Sequence, residues 1–262
     1  MTSFSSIGRW VSIMNHDGSR ANLVWLRARF EFGTTFSYRL PDASSQFAIG
    51  PPIPSPAAVK LALVAAAIHG SGDVGSGASI LDLVRSCRVW FGLPPRVARF
   101  RACIKRLKPA KTGGFVESPA TRDYYLFDST LDIFVQVAPS AVPRIRDLLR
   151  RIRRFGTSDS LCWCWDIDEV EPRVEQCAVP LEDRKDALLD GEERILISLL
   201  DLAPTVTFEQ IDPYSYRSGR SAGDPFVRVA YALPLKIEAS GGNWAVLTRS
   251  EPVASTDAQL GE

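Results

Sequence analysis

Histidine is nearly absent from this chain: His16 and His69 are the only two among 262 residues. General acid–base chemistry draws first on histidine, then on lysine, tyrosine and carboxylates. A hydrolytic centre would therefore have to be assembled from Tyr38, Tyr124, Lys105 and His69, which are candidates by residue type alone. No HExxH, P-loop or nucleophile elbow occurs. Cysteine is sparse too. Five thiols, an odd number without paired spacing, exclude a disulfide framework and point to a reducing cytosol. Cys162 and Cys164 stand two apart on a predicted strand, but zinc takes four ligands, usually as two spaced pairs. There is no second pair, so neither metal nor cofactor is expected. Long apolar runs are also missing. AAVKLALVAAAI (57–68) contains Lys60 and is too short to cross a bilayer, and MTSFSSIGRW lacks an apolar core of signal-peptide length. These absences leave a soluble cytoplasmic chain with no membrane partner, 45% hydrophobic and 23% charged, long enough for one large domain or two small ones.

Acid is locally absent as well. The net charge is only +1, yet residues 96–111 hold seven basic side chains and no carboxylate, and residues 144–154 hold six arginines against Asp147. The acids collect in 166–193. Such segregation fits a polyanion partner on one side of the molecule, or a solvated basic face.

The hydrophobic pattern predicts alternating strands and capped helices. NLVWLRARFEF (22–32) alternates, with Val24, Leu26, Ala28, Phe30 and Phe32 on one face and Trp25, Arg27, Arg29 and Glu31 on the other. Ser55 as N-cap, Pro56 in the first turn and Gly70 as stop frame a buried helix over 56–69. A Gly/Ser loop (70–79) and a short helix within 79–91 follow. RVARFRACIKRLK (96–108) reads as a strand with Arg99, Arg101 and Lys105 on one face. Residues 106–130, with Gly113-Gly114 at the turn, read as a projecting hairpin. LDIFVQV (131–137) is a strand. A helix over 141–154 buries Ile145, Leu148, Leu149 and Ile152, and its arginines crowd the last turns, where the helix dipole favours cations. LCWCWDIDEV (161–170) is a strand with Trp163 and Trp165 facing the core. Asp166 and Asp168 share the cysteine face and lie within reach of Arg27 or Arg29.

The order strand, helix, strand, strand, helix, strand is an α+β, ferredoxin-like unit: a four-stranded antiparallel sheet with both helices on one face. It occupies 1–170. Residues 171–252 form a C-terminal β extension, beginning with an acidic connection (171–193) and ending in a hairpin around Gly241-Gly242. Residues 253–262 read as a disordered tail.

With these elements in place, PPIPSPAAVKLALVAAA and RRFGTSDSL, together with YALPLKI, resemble the fifth CRISPR-associated protein family of the RAMP superfamily. The similarity runs over roughly 22–250. The resemblance implies a thumb-like hairpin between the second and third strands, and a non-catalytic subunit capping the 5′ handle of crRNA in a type I Cascade complex. Its partners would be a backbone subunit, a large subunit and, through the complex, target DNA. One branch of the family cleaves crRNA precursors, so a metal-independent endoribonuclease is the alternative. An interaction module without RNA is a third reading.

Under the RNA reading, Arg150, Arg151, Arg153 and Arg154 supply charge beside a turn in which Gly156 allows close backbone approach. Thr157 and Ser158 offer hydroxyls to phosphate there. The same turn also reads as an ordinary helix stop followed by polar residues. The second strand and thumb offer Arg99, Arg101, Lys105, Arg106, Lys108 and Lys111, with Phe115, Tyr124 and Tyr125 able to stack on bases or to pack the hairpin. Tyr38 and Arg39, after the first strand, complete the set.

Overall fold

The computed structural model describes residues 22–40, 47–188, 193–212 and 224–250. His16 and the tail after Pro252 lie outside them. In chain order the main elements are β1 (Val24–Phe32), β2 (Phe47–Ala48), α1 (Pro56–Ser71), α2 (Val74–Val84), β3 (Val89–Gly92), β4 (Arg96–Pro109), β5 (Phe115–Phe127), β6 (Leu131–Val137), α3 (Val142–Arg151), β7 (Cys162–Glu169), β8 (Cys177–Pro180), β9 (Ile195–Leu202), β10 (Phe226–Leu233), β11 (Leu235–Ser240) and β12 (Trp244–Arg249).

Two sheets organise them. The first runs β7-β1-β6-β3-β8-β10-β9, and its pairings are all antiparallel. Its first four strands, taken with α1 and α3, are the expected ferredoxin-like βαββαβ unit. The inward faces of β1 and β6 (Leu26, Ala28, Phe30; Leu131, Ile133, Val135) share one core with Val59 and Leu63 of α1 and Ile145 and Leu149 of α3. On the other face, Trp25, Trp90 and Phe134 close a smaller cluster over Cys177 and Val179. Trp25 is therefore buried on what the alternation reads as the polar side of β1.

The second strand of that unit is β3, not 96–108. Val89–Gly92 is four residues long with Val89, Trp90 and Phe91 buried, and so short an apolar run carries no alternation to set it apart from a helix. Pro94 and Pro95 follow it. Lacking N–H groups, they cannot continue the ladder, and the chain leaves the first sheet. Residues 96–127 are instead the β4–β5 hairpin, paired from Val97↔Phe127 to Pro109↔Phe115. The projection is thus longer than 106–130 and belongs to a second sheet, β11-β12-β4-β5-β2. Its turn is closed by Ala110 N–H on the Gly114 carbonyl (3.0 Å), with Gly113 and Gly114 at φ 89° and 76°, values that favour glycine.

Two further readings are corrected by packing. The 70–79 loop is mostly helix: Gly72 (φ 70°) ends α1, and Asp73 caps α2 by accepting from Gly75 N–H at 3.0 Å. Glycine is needed inside α2, since a Cβ on Gly77 would come within 2.6 Å of the Ile68 side chain. The acidic connection contains β8, which joins β3 to β10. The C-terminal β element thus extends the first sheet through β8, β10 and β9, and adds β11–β12 to the edge of β4. The hairpin around Gly241-Gly242 stands as expected.

Lys60 ties this extension to the helices. Fully buried on α1, it pairs with Asp201 of β9 at 2.7 Å and donates to the Arg85 carbonyl at 2.9 Å. A buried cation without its partner costs several kcal/mol, whereas an apolar pair of similar volume does not. Asp201→Ala is expected to lower unfolding free energy by about 3 kcal/mol, and Lys60→Met with Asp201→Leu to restore most of it, as read by urea denaturation. A loss below about 1 kcal/mol for the single variant would mean that the ammonium is hydrated.

Candidate nucleic-acid interface

Alternation along β4 divides the basic residues. Near the base of the hairpin, the inward face carries Arg99 and Arg101 opposite Tyr125 and Asp123. The buried Asp123 carboxylate accepts from both Nε (2.8 Å) and Nη2 (3.2 Å) of Arg101, and this pairing raises the Arg101 pKa. Tyr125 donates to the Gly50 carbonyl, and burial, helped by the Asp123 charge, pushes its phenol pKa up. Arg99 is half-buried, its Nε without a hydrogen-bond partner. Arg101 and Tyr125 therefore anchor the hairpin to the core.

Beyond this anchor the sheet loses its backing. Lys108 and Lys111 are exposed, and Lys105 makes only an open ion pair with Glu117 at 3.3 Å, a contact worth about 0–1 kcal/mol. Leu107, Phe115 and Val116 are exposed beside them. Arg106 occupies the same strand. The outer half of the hairpin thus presents cations and apolar surface that serve no core.

The RRFGTSDS turn is largely consumed by the fold. Arg151 pairs with Asp147 at 2.9 Å. Arg153 donates to the carbonyls of Arg150 (2.5 Å) and Ile152 (3.2 Å), closing the end of α3. Gly156 (φ 79°) does approach a backbone closely, but that backbone is Ser37: a Cβ would stand 2.3 Å from its carbonyl oxygen. Thr157 N–H donates to the same oxygen (2.9 Å), and Ser37 N–H donates to Ser160 Oγ (2.8 Å). Thr157 Oγ1 also bonds Ser160 Oγ. Arg150, Arg154 and Ser158 remain exposed. Arg39 is exposed, whereas Tyr38 is held by Ser55 Oγ at 2.7 Å, its pKa raised by burial.

The β7 strand reverses the expected faces. Arg29 lies opposite Asp166 while Phe30 lies opposite Cys164, so Trp165 is the extra residue of a β-bulge. The bulge shifts the alternation by one: Cys162, Cys164 and Ile167 face the core, and Trp163 and Trp165 face outward, Trp165 at 70% exposure. Burial pushes the Cys162 and Cys164 thiols up to about 12 and about 11. Asp166 and Asp168 sit on the outer face, away from the cysteines, and meet the arginines as expected. Asp168 takes Arg27 Nε at 2.9 Å, Asp166 takes Arg29 Nη1 at 3.3 Å, and the Arg27 hydrogen bonds hold the Asp168 pKa down.

The four acid–base candidates do not converge. Tyr38 sits at the N-cap of α1 and His69 in its last turn, about 20 Å apart at helical rise. Tyr124 stacks on Phe100 on the outer face of the second sheet, and Lys105 is five residues beyond Phe100 on the opposite face. Among the described residues no three His, Cys, Asp or Glu side chains gather as a metal site.

Sequence reasoning missed a cleft of about 480 Å³ between the outer face of the first sheet and the Pro94-Pro95 corner, where Arg27, Arg173 and Arg249 meet Asp132. Arg249 donates to the Leu93 carbonyl (2.8 Å), so two of these three guanidinium groups already serve the fold. It also missed Phe100 and Trp244, exposed on the second sheet. An aromatic within a strand is the available signal, and it does not report which face is covered.

The interlock at Ser37 has a direct test. Gly156→Ala places a side chain in the left-handed region against a backbone oxygen, and is expected to cost at least about 2 kcal/mol by thermal or urea unfolding. Unchanged stability would free this turn for a ligand.

No protein-family model matches the chain. A curated protein of Archaeoglobus fulgidus named "CRISPR-associated protein Cas5" is 31% identical over 230 residues, 86% of this chain and 98% of that protein. A solved structure, "Crystal structure of a CRISPR protein from Archaeoglobus fulgidus", aligns with TM-score 0.45 and 14% identity, over 87% of this chain and 92% of that one. On the identity sustained along almost the whole of the first relative, this chain belongs to the Cas5 family of CRISPR-associated proteins.

Proposed function

We propose that this protein is a non-catalytic crRNA-binding subunit that caps the 5′ handle of the guide in a type I Cascade complex in the cytoplasm. It would touch a backbone subunit and a large subunit, and reach target DNA only through the complex. The observation that carries this reading is the outer half of the β4–β5 hairpin. There Lys105 and Lys108, with Lys111 in the turn, stand exposed beside Phe115 and Leu107, where they contribute nothing to either core. Cations that follow a backbone, interleaved with apolar and aromatic side chains, are what a single strand of RNA requires. Arg150, Arg154 and Arg39 add exposed charge elsewhere. Arg101, Arg151, Arg153 and Gly156 support the reading less, because their contacts are internal.

The scattering of Tyr38, His69, Tyr124 and Lys105 weighs against the endoribonuclease. Holding an RNA end for the lifetime of a complex needs many phosphate and stacking contacts and no cleavage. Purified protein incubated with labelled repeat RNA and a chelator is expected to leave the RNA intact on a denaturing gel. One discrete cut, lost on changing His69, Lys105 or Tyr38, would establish the nuclease instead. In binding assays, Lys105→Ala, Lys108→Ala and Lys111→Ala together are expected to flatten the log-affinity against log-salt slope by about 2, at roughly 0.7 per lost contact on a single strand. An unchanged slope would place these lysines in solvent.

A further inference from the structure

The outer face of the second sheet carries rings where a face needing only solubility would carry polar groups. β12, β4 and β5 lie side by side. Their registers set Trp244 opposite Phe100 and Phe100 opposite Tyr124, one row of three aromatics across three adjacent strands. Phe100 and Tyr124 stack with centroids 5.3 Å apart and planes 15° from parallel. Trp244 and Phe100 are 44% and 40% exposed. The next row along the strands is Val246, Ala98 and Leu126, with Leu126 51% exposed. The same strands are anchored through their other face, where Val97, Tyr125, Ala245 and Leu247 are buried.

The row is also held in place. Gly241 leaves room for the indole of Trp244, whose Nε1 would lie 2.4 Å from a Cβ at that position. Asn243, next to Trp244, accepts Arg101 N–H at 2.7 Å, which fixes the turn against β4. Cations flank the rings on both sides. Arg122, opposite Ala102, is one row beyond Tyr124. Arg96 and Lys236 share the row of Thr248, two rows the other way, with Glu238 paired to Arg96.

We infer that this row is a stacking platform for unpaired nucleic-acid bases, separate from the lysines of the hairpin end. The rings take the base faces, and the exposed ammonium of Lys236 on the rim is placed to take a phosphate. Every base has a π-face, so such a platform is tolerant of sequence, and the cationic rim favours a nucleic acid over a protein surface of the same apolar area. The inference rests on the RNA-binding reading above and adds a site that senses bases where the lysines sense charge.

The test compares a ten-residue oligoadenylate with an abasic strand of equal length, using the full chain and fluorescence anisotropy. Wild-type protein is expected to bind the base-bearing strand at least about tenfold tighter, since one stacked base is worth roughly 5- to 150-fold. Trp244→Leu with Phe100→Leu keeps the apolar bulk. It should lower affinity for oligoadenylate to the abasic level and leave abasic binding unchanged, while Trp244→Phe retains the preference. Equal wild-type binding of both strands, or a leucine variant that keeps the preference, overturns the platform and leaves the RNA reading standing. Leucine variants that keep the preference but no longer capture another subunit of the complex would make the row a protein-docking face. Failure of wild-type protein to bind either strand overturns the RNA reading and the platform together.

Discussion

The prolines at 94 and 95 decide where half of this molecule goes. β3 is the second ferredoxin strand reduced to four residues, paired on one side with β6 and on the other with β8. A chain that kept its ladder past Gly92 would lengthen the first sheet. Without two N–H donors it turns out, and the hairpin that follows builds a separate sheet instead. The corner is clamped from the far end of the chain: Arg249 N–H donates to the Pro95 carbonyl (2.9 Å) and the Arg249 guanidinium to that of Leu93. The β12 strand that supplies this clamp also flanks β4. Position of the hairpin, closure of the second sheet and the outward aim of its aromatic row are consequences of one break.

The ferredoxin frame was legible because it announces itself locally. β1 alternates, α1 is bracketed by Ser55 and Pro56, α3 carries an unbroken apolar stripe, and β6 and the β11–β12 hairpin have clear flanks. Elsewhere tertiary contact overrides the local pattern. Glycines made 70–79 look like loop, yet Gly77 is what lets α2 press on α1. Val89–Gly92 is too short to show a period. Strict alternation puts Trp163, Trp165 and Ile167 on one apolar face, and a single bulged residue sends Ile167 to the core with the cysteines and leaves the tryptophans outside.

The basic runs are legible in the sequence, but sequence gives charge without its neighbours. Arg101 and Arg151 sit in the same kind of run as Lys105 and Arg150, and only the structure shows that the first two face Asp123 and Asp147. Gly156 is a position of close approach, but the backbone it meets is that of Ser37 and not a ligand. What survives as a free cationic surface is concentrated toward the end of the hairpin, next to rings that no reading of alternation could place in or out of a core.

The central claim is that this protein grips a single strand of RNA with its second sheet. Ultraviolet cross-linking of the assembled complex, followed by mass spectrometry of the RNA-bearing peptides, tests it most directly. The account predicts cross-links within β4, β5 and β12, at Phe115 and Trp244 among them. Cross-links confined to the helices, or absent from this chain while present on its neighbours, would contradict it.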